Sequence, residues 1–289
     1  MQPATPMLFE QLIFSKPYFD PAGLIVGLHN DIPVGFAHAG FGANDEMTAL
    51  SNDMGTTYQL MVRGDHRDGP LAAELLARSE DYLRQSGAKV IYAGGVRPLN
   101  AFYLGLYGGS ELPGVLAADN TFHAACQQRG YRPIDRVQIL QLDLASFRAP
   151  ITRNQRQLRR EMVLQETPSP PPQSWWESCT TAAFERIRFS LTRPECNEPT
   201  ADVWFWDIEP LSTAWGRPTA GMFDPSVPTA ERRRGLATFL LSEAFERLRN
   251  RGILLIEAQT MQQNAPAIAA YTKLGFQQID EGVLYRKDA

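Results

Sequence analysis

The chain has 289 residues, 44% of them hydrophobic and 21% charged, and 28 basic residues against 32 acidic ones leave a net charge of −4. That length gives one or two domains with an adequate core in each, while the slight acidity offers nucleic acid no basic field and no apolar run is long enough to span a bilayer. Cys126, Cys179 and Cys196 form no CxxC pair, four scattered histidines lack metal-ligand spacing, and the opening Met1–Pro6 lacks the layout of a signal peptide, so the expected setting is the reducing cytoplasm without a structural metal.

Little precedes Leu8–Phe14 that would supply an opening strand and helix. Gly23–His29 and Val34–Phe41 resemble a hairpin turning at Asn30-Asp31. Thr56–Val62 reads as the next strand, Leu71–Ser86 as a helix and Lys89–Ala93 as a strand. An extra segment, Ala101–Asn120, then intervenes, and its Tyr103–Glu111 stretch is rich in glycine and aromatics; a long loop of this kind serves function or an interface. Arg136–Leu142 alternates as a closing strand. The boundary is expected in Ala145–Ile151, giving domains 1–148 and 149–289. Beyond it, Arg153–Arg160 reads as the solvated face of a strand and Pro168–Pro172 as a short proline-rich loop.

The second half carries an extended segment at Gly221–Val227 and a polar turn at Pro228–Arg234. A helix follows over Gly235–Arg251, where Leu236, Leu240, Ala244 and Leu248 recur every four residues, and Gly252 stops it. Ile253–Ala258 is a buried strand, Ala265–Leu274 a second helix ending at Gly275, and Phe276–Arg286 the last strand. Moving the chain along itself by 165 residues superposes Arg67 on Arg232, Val62 on Val227, Leu75-Leu76 on Leu240-Leu241, Leu83-Arg84 on Leu248-Arg249 and Gly87 on Gly252. Two copies of one α/β plan are therefore expected.

Val227-Pro228-Thr229-Ala230-Glu231-Arg232-Arg233-Arg234-Gly235-Leu236-Ala237 takes a strand end through a tight turn into a helix start. Open backbone N–H groups and the helix dipole there suit a pyrophosphate, with Arg232, Arg233 and Arg234 adding charge. Gly235 and Ala237 keep side chains out of the approach. Downstream, Asn264, Ala267, Tyr271 and Gly275-Phe276 fall at regular separations.

Arg232-x-x-Gly235-x-Ala237 and Asn264-x-x-Ala267-x-x-x-Tyr271-x-x-x-Gly275-Phe276 together resemble the GNAT superfamily of N-acetyltransferases, specifically over Gly221–Phe276, and the doubled plan resembles tandem GNAT proteins. The resemblance implies two three-layer domains, each with a mixed, mostly antiparallel splayed sheet flanked by helices. It also implies acetyl-CoA as co-substrate, with the pantetheine arm between the fourth and fifth strands. Val227 would offer main-chain hydrogen bonds, Arg232, Arg233, Arg234, Gly235, Leu236 and Ala237 would cradle the pyrophosphate, and Asn264, also a natural helix cap, would help hold the cofactor. Tyr271 would protonate the departing thiolate while an amine attacks the thioester directly. For the base, Glu209, Glu257 and a relaying water stay open. The acceptor is a small-molecule or peptide amine, with no nucleic acid and no membrane as partner. Trp175, Trp176, Trp204, Trp206 and Trp215 line a pocket, a core or an inter-domain interface.

In the first half Pro70 stands where Gly235 does, removing a donor; a one-residue shift puts Gly69 there, with His66 for the arginine and Leu71 for the small residue. Cys126 matches Tyr271. The first half is therefore expected to be a degenerate copy that shapes the pocket or joins the domains. The other readings are a non-catalytic acetyl-CoA-binding or structural tandem module, and a transferase using a longer acyl-CoA or a hydroxyl acceptor.

Overall fold

The computed structural model describes residues 5–95, 99, 102–182, 184–196 and 198–288; Met1–Ala4 and Ala101, which the sequence reading touched, lie outside them. Helix α1 (Pro6–Phe9) widens into a further coil through Phe14 and leads to strands β1 (Leu24–His29) and β2 (Ile32–Ala43). Asn30 and Asp31 between them hold φ of 49° and 62°, the left-handed pair a two-residue hairpin turn needs. There follow β3 (Leu50–Val62), α2 (Leu71–Gln85), β4 (Val90–Ala93), the short β5 (Val115–Leu116) within the insertion, α3 (Asn120–Gln128) and β6 (Arg132–Asp143). The second half runs α4 (Arg153–Glu161), β7 (Val163–Pro168), α5 (Trp175–Thr180), β8 (Arg186–Thr192), β9 (Ala201–Asp207), α6 (Glu209–Trp215) and β10 (Thr219–Ser226). It ends with α7 (Leu236–Asn250), β11 (Leu255–Met261), α8 (Ala265–Leu274) and β12 (Gln277–Asp288).

The internal repeat extends to individual hydrogen bonds. Arg67 Nε donates to Val62 O at 3.2 Å, and Arg232 Nε donates to Val227 O at 3.1 Å. Helices α2 and α7 begin and end at positions 165 apart, and the two parallel strand pairs share one register: Met54–Thr57 beside Val90–Ala93, and Thr219–Met222 beside Leu255–Ala258. Among the described residues all other strand pairings are antiparallel. This is an α/β fold with a mixed, mostly antiparallel sheet flanked by helices, as the sequence resemblance implied, but one sheet runs through both halves where the resemblance gave each its own.

The halves exchange their closing strands. The sheet order is β1-β2-β3-β4-β12-β6-β11-β10-β9-β8-β7, so β12 from the end of the second half lies beside β4 of the first, while β6 of the first lies beside β11 of the second. The cores follow the strands. Val283 and Tyr285 of β12 pack with Leu75, Leu76 and Leu83 of α2, whereas Leu140 and Leu142 of β6 pack with Leu240, Ala244 and Phe245 of α7. A third core, built from Tyr58, Phe102 and Leu104 on one side and Trp176, Trp206 and Ile208 on the other, joins the two halves.

A buried ion cluster fastens the exchanged strand. Glu80 on α2, fully buried, accepts from Arg129 at 2.9 Å, Lys287 of β12 at 3.0 Å and Arg84 at 3.2 Å.

One expected element is different. Arg153–Arg160 belongs to helix α4 and not to a strand. The Thr152 side chain caps it by accepting from Gln155 N at 3.2 Å, Leu158 alone of its residues is buried, and Arg159 pairs with Glu243 of α7. Its other polar side chains face outward, so it carries little apolar periodicity to betray it.

Candidate active site

Strands β10 and β11 run parallel only as far as Met222 and Ala258. Beyond that point β10 stays with β9 through a bulge at Phe223–Ser226, and β11 stays with β6 through Met261. The sheet therefore forks between them. Each arm of the fork runs into a helix start, β10 into α7 and β11 into α8, the carboxyl-end position where open sheets hold ligands.

The turn into α7 has the geometry of an anion cradle. Arg233 and Gly235 both take left-handed backbone, with φ of 62° and 80°. A side chain at Gly235 would be strained, and its Cβ would stand 2.5 Å from Asn154 Nδ2. That amide donates to Arg234 O at 3.1 Å and so braces the turn from α4. No side chain caps α7, and its first main-chain bond is Phe239 N to Gly235 O at 3.0 Å, which leaves the first-turn N–H groups, those of Leu236 and Ala237 included, free for an anion. Around them Arg193, missed in the sequence, and Arg234 both pair with Glu231, at 2.8 Å and 2.6 Å. Arg232 and Arg233 add two further cations, so positive charge exceeds negative. The Val227 carbonyl is taken by Arg232. These residues fit a pyrophosphate.

Across the fork, the Asn264 side chain caps α8 by accepting from Ala267 N at 3.3 Å. Tyr271, further along the same helix, is buried with its ring 5.2 Å from that of Phe276. Burial, and then the negative charge of Glu111, raises its phenol above the ordinary tyrosine value, which keeps it protonated through neutral pH.

Between the forked strands and the first half lies the insertion. Ser110 N donates to Glu257 Oε2 at 2.6 Å, Trp206 Nε1 donates to Ser110 O at 3.2 Å, and Gln259 Nε2 reaches Gly108 O at 3.1 Å and Glu111 O at 2.8 Å. Gly109, at φ 130°, passes so close that any Cβ would overlap the Glu257 carboxylate. Glu257 is fully buried. Its pKa is pushed up to about 7, first by burial and further by Glu111, against the opposing hydrogen bonds from Ser110 and Gln259. Glu209, in contrast, is exposed in the first turn of α6 and lines none of the clefts described below.

Two hollows with shared walls lie at the bulge. A cleft of about 530 Å³ is lined by Asp45 and Met47 from the first half and by Trp176, Trp204, Phe223 and Asp224 from the second. A small hollow of about 20 Å³, sharing Leu104, Thr181 and Phe223 with it, is lined also by Ser110, Glu111 and Trp206. Of the five tryptophans, Trp176, Trp204 and Trp206 thus wall the space between the halves. Ser110 and Glu111 were not singled out in the sequence, although the glycine-rich stretch containing them was marked as functional or interfacial.

The first half has the same fork without the cradle. Pro70 occupies the cap of α2 with φ −75°, where Gly235 is left-handed, and Cys126 lies buried at the place of Tyr271. A larger apolar cleft, about 1450 Å³, does open there beside Leu60, Met61, Phe9 and Ile13. Among the described residues no group of side chains is arranged to hold a metal ion, and no helix is long and apolar enough to cross a membrane.

The model of the acetyltransferase (GNAT) family matches residues 3–108 and 164–276, once in each half. Among solved structures, a tandem GNAT protein from the clavulanic acid biosynthesis pathway is similar at 15% identity and a TM-score of 0.62, over 93% of this chain and 85% of that one. A GCN5-related N-acetyltransferase from Sphaerobacter thermophilus is similar at 16% identity and 0.59, over 90% and 78%. A fungal glucosamine N-acetyltransferase region within a larger multi-domain protein gives 16% and 0.66, over 97% of this chain and 36% of that one. No curated protein matches in sequence.

Proposed function

The chain belongs to the acetyltransferase (GNAT) family, and on that premise we propose that its second half moves an acetyl group from acetyl-CoA to an amine by direct attack. The observation that carries this is the cradle: an uncapped helix start, a left-handed Gly235 and an excess of arginine at the carboxyl end of a forked parallel strand pair. Acetyl-CoA supplies an activated thioester; the protein supplies placement and proton handling. Arg232, Arg233, Arg234 and the N–H groups of Leu236 and Ala237 hold the phosphates, and Asn264 borders the same mouth. Val227 has its N–H to offer the arm. Tyr271 stays protonated and donates to the departing sulfur.

The acceptor enters by the aromatic cleft between the halves, whose open side carries Asp45 and Asp224. That lining suits a small amine or an exposed amino terminus. We place the domains at 1–148 and 149–289 by chain order, with the first as a supporting copy, and the compartment as the cytoplasm.

Calorimetric titration with acetyl-CoA tests the reading. One site per chain is expected, lost in Gly235→Pro, which removes a cradle N–H. Binding that survives Gly235→Pro would move the cofactor to the first-half cleft, and two sites per chain would add a second one there.

A further inference from the structure

We propose that Glu111, carried into the fork by the insertion of the first half, is the base that takes the proton of the attacking amine in the second half. The inference rests on the acyl-transfer reading above. Of the carboxylates near the site, Asp45 and Glu177 line only the outer cleft, Glu177 being paired with Arg186, and three others are badly placed. Glu257 is fully buried, with Oε2 accepting from Ser110 N, Oε1 accepting from Gln259 Nε2 at 3.1 Å, and Gly109 lying against it. No acceptor reaches it without lifting the insertion. Glu209 is exposed on α6 and lines neither hollow. Asp224 lines the outer cleft and not the inner hollow.

Glu111 meets the requirements. It is half-buried and lines the inner hollow with Phe223, at the point where the forked strands separate. Its negative charge raises the pKa of both the Tyr271 phenol and Glu257. Its backbone is fixed on both sides: Gln259 Nε2 holds its own carbonyl at 2.8 Å, and Ser110 is held at N and O by Glu257 and Trp206. Preorganisation of this sort is what a proton acceptor needs. Glu257 and Gln259 are then positioning residues, acting through the insertion.

The step balances as follows. The amine nitrogen forms a bond to the thioester carbonyl carbon, and the carbon–sulfur bond breaks. The ammonium first gives one proton to the Glu111 carboxylate, which passes it to water in the outer cleft, and the second proton that leaves nitrogen after attack follows the same route. The sulfur receives its proton from the Tyr271 phenol, which is restored from water.

The test compares the wild-type chain with Glu111→Gln and Glu111→Asp, following thiol release from acetyl-CoA with two probe amines. 2-Phenylethylamine is protonated near neutral pH and needs a base. Hydroxylamine is already neutral, and its adduct loses a proton readily to water. Glu111→Gln should lower kcat/KM with 2-phenylethylamine by about 10²–10⁴-fold, lower that with hydroxylamine far less, and leave acetyl-CoA affinity unchanged; Glu111→Asp should recover part of the loss. Equal losses with both amines, or none, overturn the assignment. A wild-type chain that fails to bind acetyl-CoA, or binds it and serves neither amine, sinks the transfer reading itself.

Discussion

Replacing Glu257 by glutamine separates the charge of a buried carboxylate from its shape. The folded group titrates at about 7 against an ordinary 4.5, chiefly because burial disfavours its anion. Between those values the folded protein holds a proton that the unfolded chain has released. The resulting stability is full below 4.5 and lost as pH rises through 7, and at 1.36 kcal/mol per pH unit it amounts to about 3 kcal/mol. Glutamine cannot titrate. Its carboxamide also turns an N–H group toward either Ser110 N or Gln259 Nε2, both of which donate to Glu257, so the variant starts about 1–3 kcal/mol lower in acid. Urea unfolding from about pH 5 to about pH 8.5 should show the wild type losing about 3 kcal/mol relative to Glu257→Gln across that interval, its curve meeting or crossing that of the variant toward the alkaline end. Parallel curves would show that Glu257 does not carry its charge in a closed environment, and that the insertion does not seal it.

Two further outcomes are expected. Tyr271→Phe should leave acetyl-CoA affinity intact and lower turnover by about 10²-fold or more, read by thiol release; unchanged turnover removes the phenol from the acid role. Glu80→Ala should cost about 3 kcal/mol in urea unfolding, since it leaves Arg129 and Lys287 without their buried partner. Burial raises the Glu80 pKa, but the bonds from Arg129 and Lys287 outweigh it and hold the group below its ordinary 4.5. Its contribution is therefore present above that value and disappears as pH falls through the lower folded one, so the alanine variant should show a shallower acid limb than the wild type. Equal acid limbs would refute the cluster.

The doubled plan was legible because its signals are local. The left-handed turn at Asn30-Asp31, the bond closing Val62 to Arg67 and Val227 to Arg232, and the glycine stops at Gly87 and Gly252 each depend on residues a few positions apart. The cradle was legible for the same reason. The exchange of β6 and β12 was not: both are twelve-residue strands with an exposed start and a buried later stretch, and neither length nor burial says which half each completes. Glu111 was also beyond reach. It meets Gln259, 148 residues later, only because the first half folds against the second. Helix α4, with Leu158 as its one buried residue, gave no stripe by which a helix is recognised.

The exchange of strands also sets an order of assembly. β12 follows every other element in sequence, yet it belongs in the middle of the sheet, between β4 and β6. As the chain leaves the ribosome, α2 has its strands β1 to β4 but lacks Val283, Tyr285 and the Lys287 that completes the Glu80 cluster. Until β12 emerges, β4 and β6 each present an open edge, and open edges invite pairing with a neighbouring chain. The sheet of the first half is thus completed only by the last strand of the second.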